Sequence, residues 1–353
     1  MLLRILPLLI AVPLAVAVAF TVPAVQRVLL PPGDAIRELM EVARSRPEPA
    51  PPLQQDVVYH RDLLRRYRLD VYGPLTTADG DVSDDSEEAT SSARLNAPAP
   101  VIVFFHGGSW VRGDKITLLV VDRFLRRMRE EGWFVVSVNY TTSAYRGIRG
   151  PVRNAYRALD WVHEHAADYG WDPERVGLYG VSAGAHLALM AASPEAERRG
   201  GGRAGRRRDP RPALVLAECA PADLVAMRDG DAFANSGTFG LFPEFRLRSL
   251  SPVKHIDSDY PPVLIYHGDA DETVAYRQAE ILSHALAEAD VTHELVRYPG
   301  GNHAFLNYSD AQWYEQESRA IRWMRSVFAD GTPPAPETPP AELPLFTRRS
   351  DSP

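Results

Sequence analysis

Arg175-Val176-Gly177-Leu178-Tyr179-Gly180-Val181-Ser182-Ala183-Gly184-Ala185-His186-Leu187-Ala188-Leu189-Met190-Ala191-Ala192 is the stretch from which the fold can be read. Residues 175–179 form a short apolar run of strand character. Residues 183–192 are small and apolar and read as a helix. Between them Gly180-Val181-Ser182-Ala183-Gly184 has the form G-x-S-x-G. A strand that becomes a helix within so few residues needs a very tight turn, with the serine on strained backbone at its tip. The flanking glycines are required because a Cβ there would meet the neighbouring strand or helix. Ser182 would stand at a helix N-terminus, where free N–H groups and the macrodipole favour developing negative charge. A serine that merely caps the helix would give the same pentapeptide, so the rest of the chain has to decide.

Upstream, Val101-Ile102-Val103-Phe104-Phe105 reads as a buried strand that runs into His106-Gly107-Gly108-Ser109-Trp110. A glycine-rich turn there lets backbone N–H groups point into a site unobstructed. It is the H-G-G kind of loop that supplies oxyanion donors beside a G-x-S-x-G turn. Downstream, the strand Pro262–Tyr266 leads into His267-Gly268-Asp269-Ala270-Asp271-Glu272-Thr273-Val274. The strand His293–Tyr298 leads into Pro299-Gly300-Gly301-Asn302-His303-Ala304-Phe305. Each segment carries an acid or a histidine just past the carboxyl end of a strand, where open α/β sheets bind ligands. The chain order is serine, aspartate, histidine.

With these motifs, the chain resembles the hormone-sensitive-lipase-like and feruloyl-esterase-like branch of the α/β-hydrolase superfamily over roughly residues 56 to 329. Tyr67–Tyr72 before the oxyanion strand and the stretch Ala155–Val181 join the resemblance. It implies an α/β-hydrolase fold: a mostly parallel central sheet with helices on both faces. It also implies a serine nucleophile, Ser182, activated by a base within hydrogen-bond reach. His303 is the expected base, the one of the ten histidines in a glycine-rich loop after the last strand. His106 and His267 are expected to brace their loops, and His186 to bond or pack within the structure. His163 and His165 fall on a predicted surface helix.

The resemblance places the acid at Asp271, the second aspartate of His-Gly-Asp-Ala-Asp, in preference to Asp269; Glu272 is read as solvated. The oxyanion donors it implies are the backbone N–H groups of Gly108, Ser109 and Ala183, with His106 and Gly107 shaping the loop. Ser109 departs from the most glycine-rich form of that loop while keeping its N–H. Trp110 is read either as a wall of an acyl pocket or as packing beneath the loop.

No Cys/His group has metal spacing and no phosphate-loop motif is present, so no metal and no cofactor are expected. Cys219 is the only cysteine, read as inert packing. A formal charge of −7 gives no case for a nucleic-acid partner. Ile5 to Val25 is almost continuously apolar and long enough to span a bilayer. Ala17-Val18-Ala19 offers an A-x-A-like cleavage site instead. The expectation is a membrane anchor at 1–30 with the catalytic domain outside the cytoplasm, or a secreted protein if the segment is cleaved.

Residues 31–55 read as a Pro-rich spacer and 56–330 as the catalytic domain, with Gln54 to Tyr72 forming two strands at a sheet edge. Disordered insertions are expected near 75–99, which is acidic, and near 195–212, whose arginines are either a solvated loop or a contact for anionic lipid or for the acidic insertion. Residues 331–353 read as a Pro-rich disordered tail. Phe233, Phe239, Phe242 and Phe245 lie in a segment expected to cover the site, and read either as the lining of an apolar acyl or aryl pocket or as ordinary packing of the loop. The expected activity is hydrolysis of small to medium carboxylic esters through an acyl-enzyme. Amide hydrolysis on the same triad, or a non-catalytic anchored binding module, are the alternatives. Oligomeric state is not read from the sequence.

Overall fold

Alternation along the strands organises the molecule. In β3 (Ala99–Phe105), Val101, Val103 and Phe105 belong to one apolar cluster, and Ile102 and Phe104 to a second. The same split recurs in β6 (Leu214–Glu218), where Val215 and Ala217 face one side and Leu214 and Leu216 the other. A strand buried on both faces reads as a continuous apolar run, because each side chain has a core to enter.

The computed structural model describes residues 51–63, 65–75, 98–115, 118–142, 147–193, 211–230 and 242–335. The apolar N-terminal segment, the spacer as far as residue 50, the acidic insertion at 76–97, the Arg-rich loop at 194–210, Phe233, Phe239 and the tail from 336 lie outside the described residues. Among the described residues no helix is long and apolar enough to cross a membrane.

The strands in chain order are β1 (Gln54–Arg61), β2 (Arg66–Tyr72), β3, β4 (Phe134–Val138), β5 (Trp171–Val181), β6, β7 (Val263–Gly268) and β8 (His293–Tyr298). They form one eight-stranded sheet in the order β1-β2-β4-β3-β5-β6-β7-β8. The β1–β2 and β2–β4 pairs are antiparallel and every later pair is parallel. The helices are α1 (Leu118–Glu130), α2 (Arg149–Glu164), α3 (Ala166–Tyr169), α4 (Ala183–Ala192), α5 (Leu224–Gly230), α6 (Glu244–Ser249), α7 (Arg277–Glu288) and α8 (Asp310–Asp330). α2, α4 and α7 cover one face of the sheet, and α1 and α8 the other. The sheet is mostly parallel with helices on both faces, as the resemblance implied.

Several boundaries moved. β5 begins at Trp171, four residues before the apolar run, because Ala99 pairs with Trp171 across a register irregularity. β7 runs on through His267 and Gly268, which pair with Arg297 and Tyr298. β1 starts at Gln54, as the reading of Gln54 to Tyr72 as two edge strands has it, so the spacer ends two residues before 55. Ala99 belongs to β3, and Arg211 pairs with Asp259 at 3.0 Å, so the residues at the edges of the two expected insertions are part of the fold. All ten residues of α4 are buried; a helix apolar on every side is one enclosed on every side.

Candidate active site

Ser182 joins β5 to α4 with φ 57° and ψ −121°, a conformation that L-residues avoid. The glycines around it make the turn possible. A Cβ on Gly180 would lie 2.3 Å from the Gly184 carbonyl carbon, and one on Gly184 would lie 1.9 Å from Phe105 O. The elbow is therefore pressed directly against the end of β3. Ser182 N–H donates to Glu218 O at 2.8 Å, which ties the turn to β6. Although Ser182 is the N-cap of α4, its side chain makes no capping bond. The hydroxyl instead lies 3.0 Å from His303 Nε2.

His303 Nδ1 lies 2.7 Å from Asp271 Oδ2. A carboxylate only accepts, so Nδ1 carries the proton and Nε2 is left to accept from the Ser182 hydroxyl. Asp271 Oδ1 accepts the N–H groups of Thr273 and Val274, each at 2.8 Å. Its side chain is fully buried, whereas that of His303 is 23% exposed. Burial opposes the charge on Asp271, but hydrogen bonds from His267, from His303 and from the Val274 N–H outweigh it. The carboxyl is held well below its ordinary range.

Asp269, the competitor two residues away, is committed elsewhere. It accepts Arg297 Nε at 2.9 Å and Gly300 N–H at 2.7 Å, and so closes the acid loop onto the histidine loop. Ala270 N–H donates to Gly301 O, and a Cβ on Gly268 would stand 2.1 Å from that oxygen. The two loops thus meet backbone to backbone, which brings Asp271 and His303 together. Asn302 and Asn307 exchange side-chain and backbone bonds at 3.0 and 3.2 Å around His303. Glu272 is exposed, as expected.

The oxyanion loop turns through positive φ at Gly108 (120°), Ser109 (53°) and Trp110 (61°), closed by Val111 and Arg112 N–H groups on Gly108 O. A Cβ on Gly107 would stand 3.2 Å from Val181 O and 3.6 Å from the Ser182 Cβ, so Gly107 is packed against the nucleophile turn as well as shaping the loop. His106 Nδ1 donates to Gly107 O at 2.7 Å, and its ring stacks on Tyr140 at 4.1 Å. The Tyr140 hydroxyl donates to His106 O at 2.8 Å. Tyr140 escaped the sequence reading because it lies past β4, with nothing nearby in the chain to mark it.

Trp110 is 5% exposed, which resolves its two readings in favour of packing. Its indole N–H donates to His186 Nδ1 at 3.2 Å, and His186 Nε2 donates to Leu250 O at 2.7 Å. Burial pushes the His186 pKa down to about 4, so the imidazole is neutral, as this bonding requires. His267 braces its loop by donating Nε2–H to Val274 O at 2.7 Å, and the same nitrogen stands 3.4 Å from Asp271 Oδ2. That second role, steadying the Asp271 carboxylate, was not read from the sequence; the only trace is the i, i+4 spacing. His163 and His165 are half-buried rather than on an open surface, with His165 stacked on Trp161.

Of the two readings of the aromatic segment, the described phenylalanines do not favour the pocket. Phe245 is 68% exposed, on the outer side of α6, where a six-residue helix has only one face to bury. Phe242 packs on the main core near Gly147.

Cys219, His267 and Asp271 bring one potential ligand atom each within 4.8 Å of one another. Both carboxylate oxygens of Asp271 are already taken by hydrogen bonds, and all three side chains are buried. The cluster is accounted for as the floor of the acid loop. Beside it lies a buried carboxyl that the sequence reading passed over. Glu218 Oε2 accepts the Tyr179 hydroxyl at 2.7 Å and Oε1 accepts Gln316 Nε2.

Comparison with known proteins agrees with this geometry. The family model BD-FAE matches residues 90–286, more than half of the chain, including Ser182 and Asp271 but ending before His303. The chain is 31% identical over 226 residues to esterase LipQ of Mycobacterium tuberculosis, which covers 59% of this chain and 50% of LipQ. It is 27% identical over 260 residues to the probable carboxylic ester hydrolase LipM of the same organism, covering 69% of this chain and 58% of LipM. It therefore spans about half the length of the curated relatives it matches. Among solved structures, esterase B from Lactobacillus rhamnosis superposes with a TM-score of 0.66 at 19% identity, over 84% of this chain and 92% of that one. Thermogutta terrifontis esterase 2, phosphoramylated by tabun, superposes with a TM-score of 0.59 at 23% identity, over 82% and 98%. With its elbow, its acid and its oxyanion loop inside the matched segment and its histidine delivered by the loop that follows, the chain belongs to the BD-FAE family and has the α/β-hydrolase fold.

Proposed function

We propose that the protein is a serine carboxylesterase acting on small to medium esters through an acyl-enzyme. The observation that carries this is the unbroken relay Ser182–His303–Asp271, with spacings of 3.0 and 2.7 Å. In it, the Ser182 oxygen attacks the ester carbonyl while its proton passes to His303 Nε2. Asp271 stabilises the imidazolium and holds its tautomer. The tetrahedral oxyanion is received by the N–H groups of Gly108, Ser109 and Ala183. His303 then gives the proton to the departing alcohol, and water, activated by the same imidazole, frees the acid. The names of the relatives, esterase and carboxylic ester hydrolase, support an ester substrate.

The test is hydrolysis of p-nitrophenyl esters from acetate to laurate by the full chain and by Ser182→Ala. The expected result is turnover by the first and a loss in kcat of at least about a thousandfold in the second. A folded protein that cleaves none of these esters would overturn the reading.

We also propose that the apolar segment Ile5–Val25 anchors the enzyme, with its catalytic domain outside the cytoplasm. Recovery in alkali-resistant membranes, lost when residues 1–30 are deleted, is expected. A mature mass lacking the segment would mean secretion instead.

A further inference from the structure

A cavity of about 450 Å³ lies at the antiparallel edge of the sheet, between the β1–β2 hairpin and the segments that follow the oxyanion loop and β4. Ser182, Asp271 and His303 do not line it. Arg65, Arg66 and Arg68 stand on its hairpin side. Arg66 and Arg68 are two apart on β2, so both leave the same face of the strand, exposed, while Tyr67 and Leu69 turn into the core. Lys115 stands in the lining too, but its charge is met by Asp70 at 2.6 Å and Asp56 at 3.2 Å. Asp114 accepts the Asn139 amide at 3.1 Å. The three arginines, by contrast, have no ion pair with any described residue. Uncompensated guanidinium groups around a concave polar surface raise the local concentration of anions and offer them forked donors.

We propose that this cavity is an anion-binding site, separate from the catalytic triad, that takes a phosphate or carboxylate group on Arg66 and Arg68 with Arg65 beside them. It shares a wall with the oxyanion loop. Gly113 and Tyr140 both line it. A Cβ on Gly113 would stand 2.5 Å from His106 Nδ1, and Tyr140 is the residue that stacks on and bonds to His106. The anion has two possible sources. A free phosphate would fit the cavity alone. A phospholipid headgroup would also explain why Leu63, in the turn next to the arginines, is fully exposed.

The test uses the full chain in neutral detergent, titrated calorimetrically with inorganic phosphate. A second arm is flotation with vesicles of neutral lipid, with and without phosphatidylglycerol. The variants are Arg66→Ala/Arg68→Ala, at exposed positions so that the fold is kept, and Ser182→Ala. Phosphate is expected to bind wild type and Ser182→Ala alike, and the double arginine variant at least about tenfold more weakly. If only the phosphatidylglycerol vesicles separate wild type from the arginine variant, the anion is a lipid headgroup and the site stands. The proposal is overturned if neither ligand distinguishes wild type from the arginine variant, or if phosphate binding is lost in Ser182→Ala. None of these outcomes depends on whether the protein hydrolyses esters.

Discussion

Two aspartates two residues apart in the acid loop face opposite tasks. Asp271 points inward, is fully desolvated and spends both oxygens on the relay and its own turn; Asp269 points outward to Arg297 and Gly300. Asp271→Asn should cut kcat by roughly 10⁴-fold, because the imidazole would lose its anionic partner and its correct tautomer. Asp269→Asn should leave kcat within about tenfold and act mainly on stability, since exposed charge pairs contribute about 0–1 kcal/mol. Steady-state kinetics of the two variants, with Tm beside them, check the assignment. A larger loss of kcat in Asp269→Asn would reverse it.

The elements around Ser182 are held so closely that the turn tolerates little change. Gly184→Ala would drive a Cβ to 1.9 Å from Phe105 O, between two backbones that cannot separate without breaking the β3–β5 pairing. A loss of about 3 kcal/mol or more is expected, at the upper end for overpacking, measured by denaturant unfolding. β6 carries a second consequence. Burial pushes the Glu218 pKa up to about 7 from an ordinary 4.5; bonds from Tyr179 and Gln316 oppose this, and the charge of Glu317 adds to it. Glu317 faces Arg123 and Arg127, and Tyr266 and Cys219 complete the surroundings. A carboxyl whose folded pKa is raised keeps its proton in the native state while the unfolded chain releases it. Stability then declines as pH rises from about 4.5 to about 7 and levels off above. Glu218→Gln removes the titration. Its stability relative to wild type should rise by about 1–3 kcal/mol between pH 5 and pH 8. A difference that does not change with pH would show that Glu218 stays in one protonation state.

At the scale of the molecule, the described residues form two apolar clusters, one on each face of the sheet. Arg123 and Arg127 of α1 reach Glu317 of α8 at 3.0 and 3.4 Å, joining the two helices of one face. A chain trimmed to 51–335 is therefore expected to unfold cooperatively with a Tm within a few degrees of the full protein. The same piece should retain kcat on p-nitrophenyl acetate. A broad, early transition would mean that segments beyond these bounds belong to the fold.

Local features are legible in the residues alone. The strand–turn–helix around Ser182, the helix at 183–192 and the strand at 293–298 could be read in place, because alternation and glycine punctuation depend only on near neighbours. The ordering of serine, acid and histidine was legible for the same reason. Whatever depends on a partner far along the chain emerges only once the molecule has folded. Asp271 is separated from Asp269 by where Arg297 and His303 arrive, and His303 meets Ser182 across 121 residues. Tyr140 under the oxyanion loop, His267 behind the acid and Glu218 between Tyr179 and Gln316 carry no periodicity or motif that announces them. Phe245 admits two readings because an aromatic side chain near a site looks the same in sequence whether its helix turns it in or out. A hydrogen bond or a desolvated charge is a property of a pair, and the pair does not exist until the sheet has brought its members together.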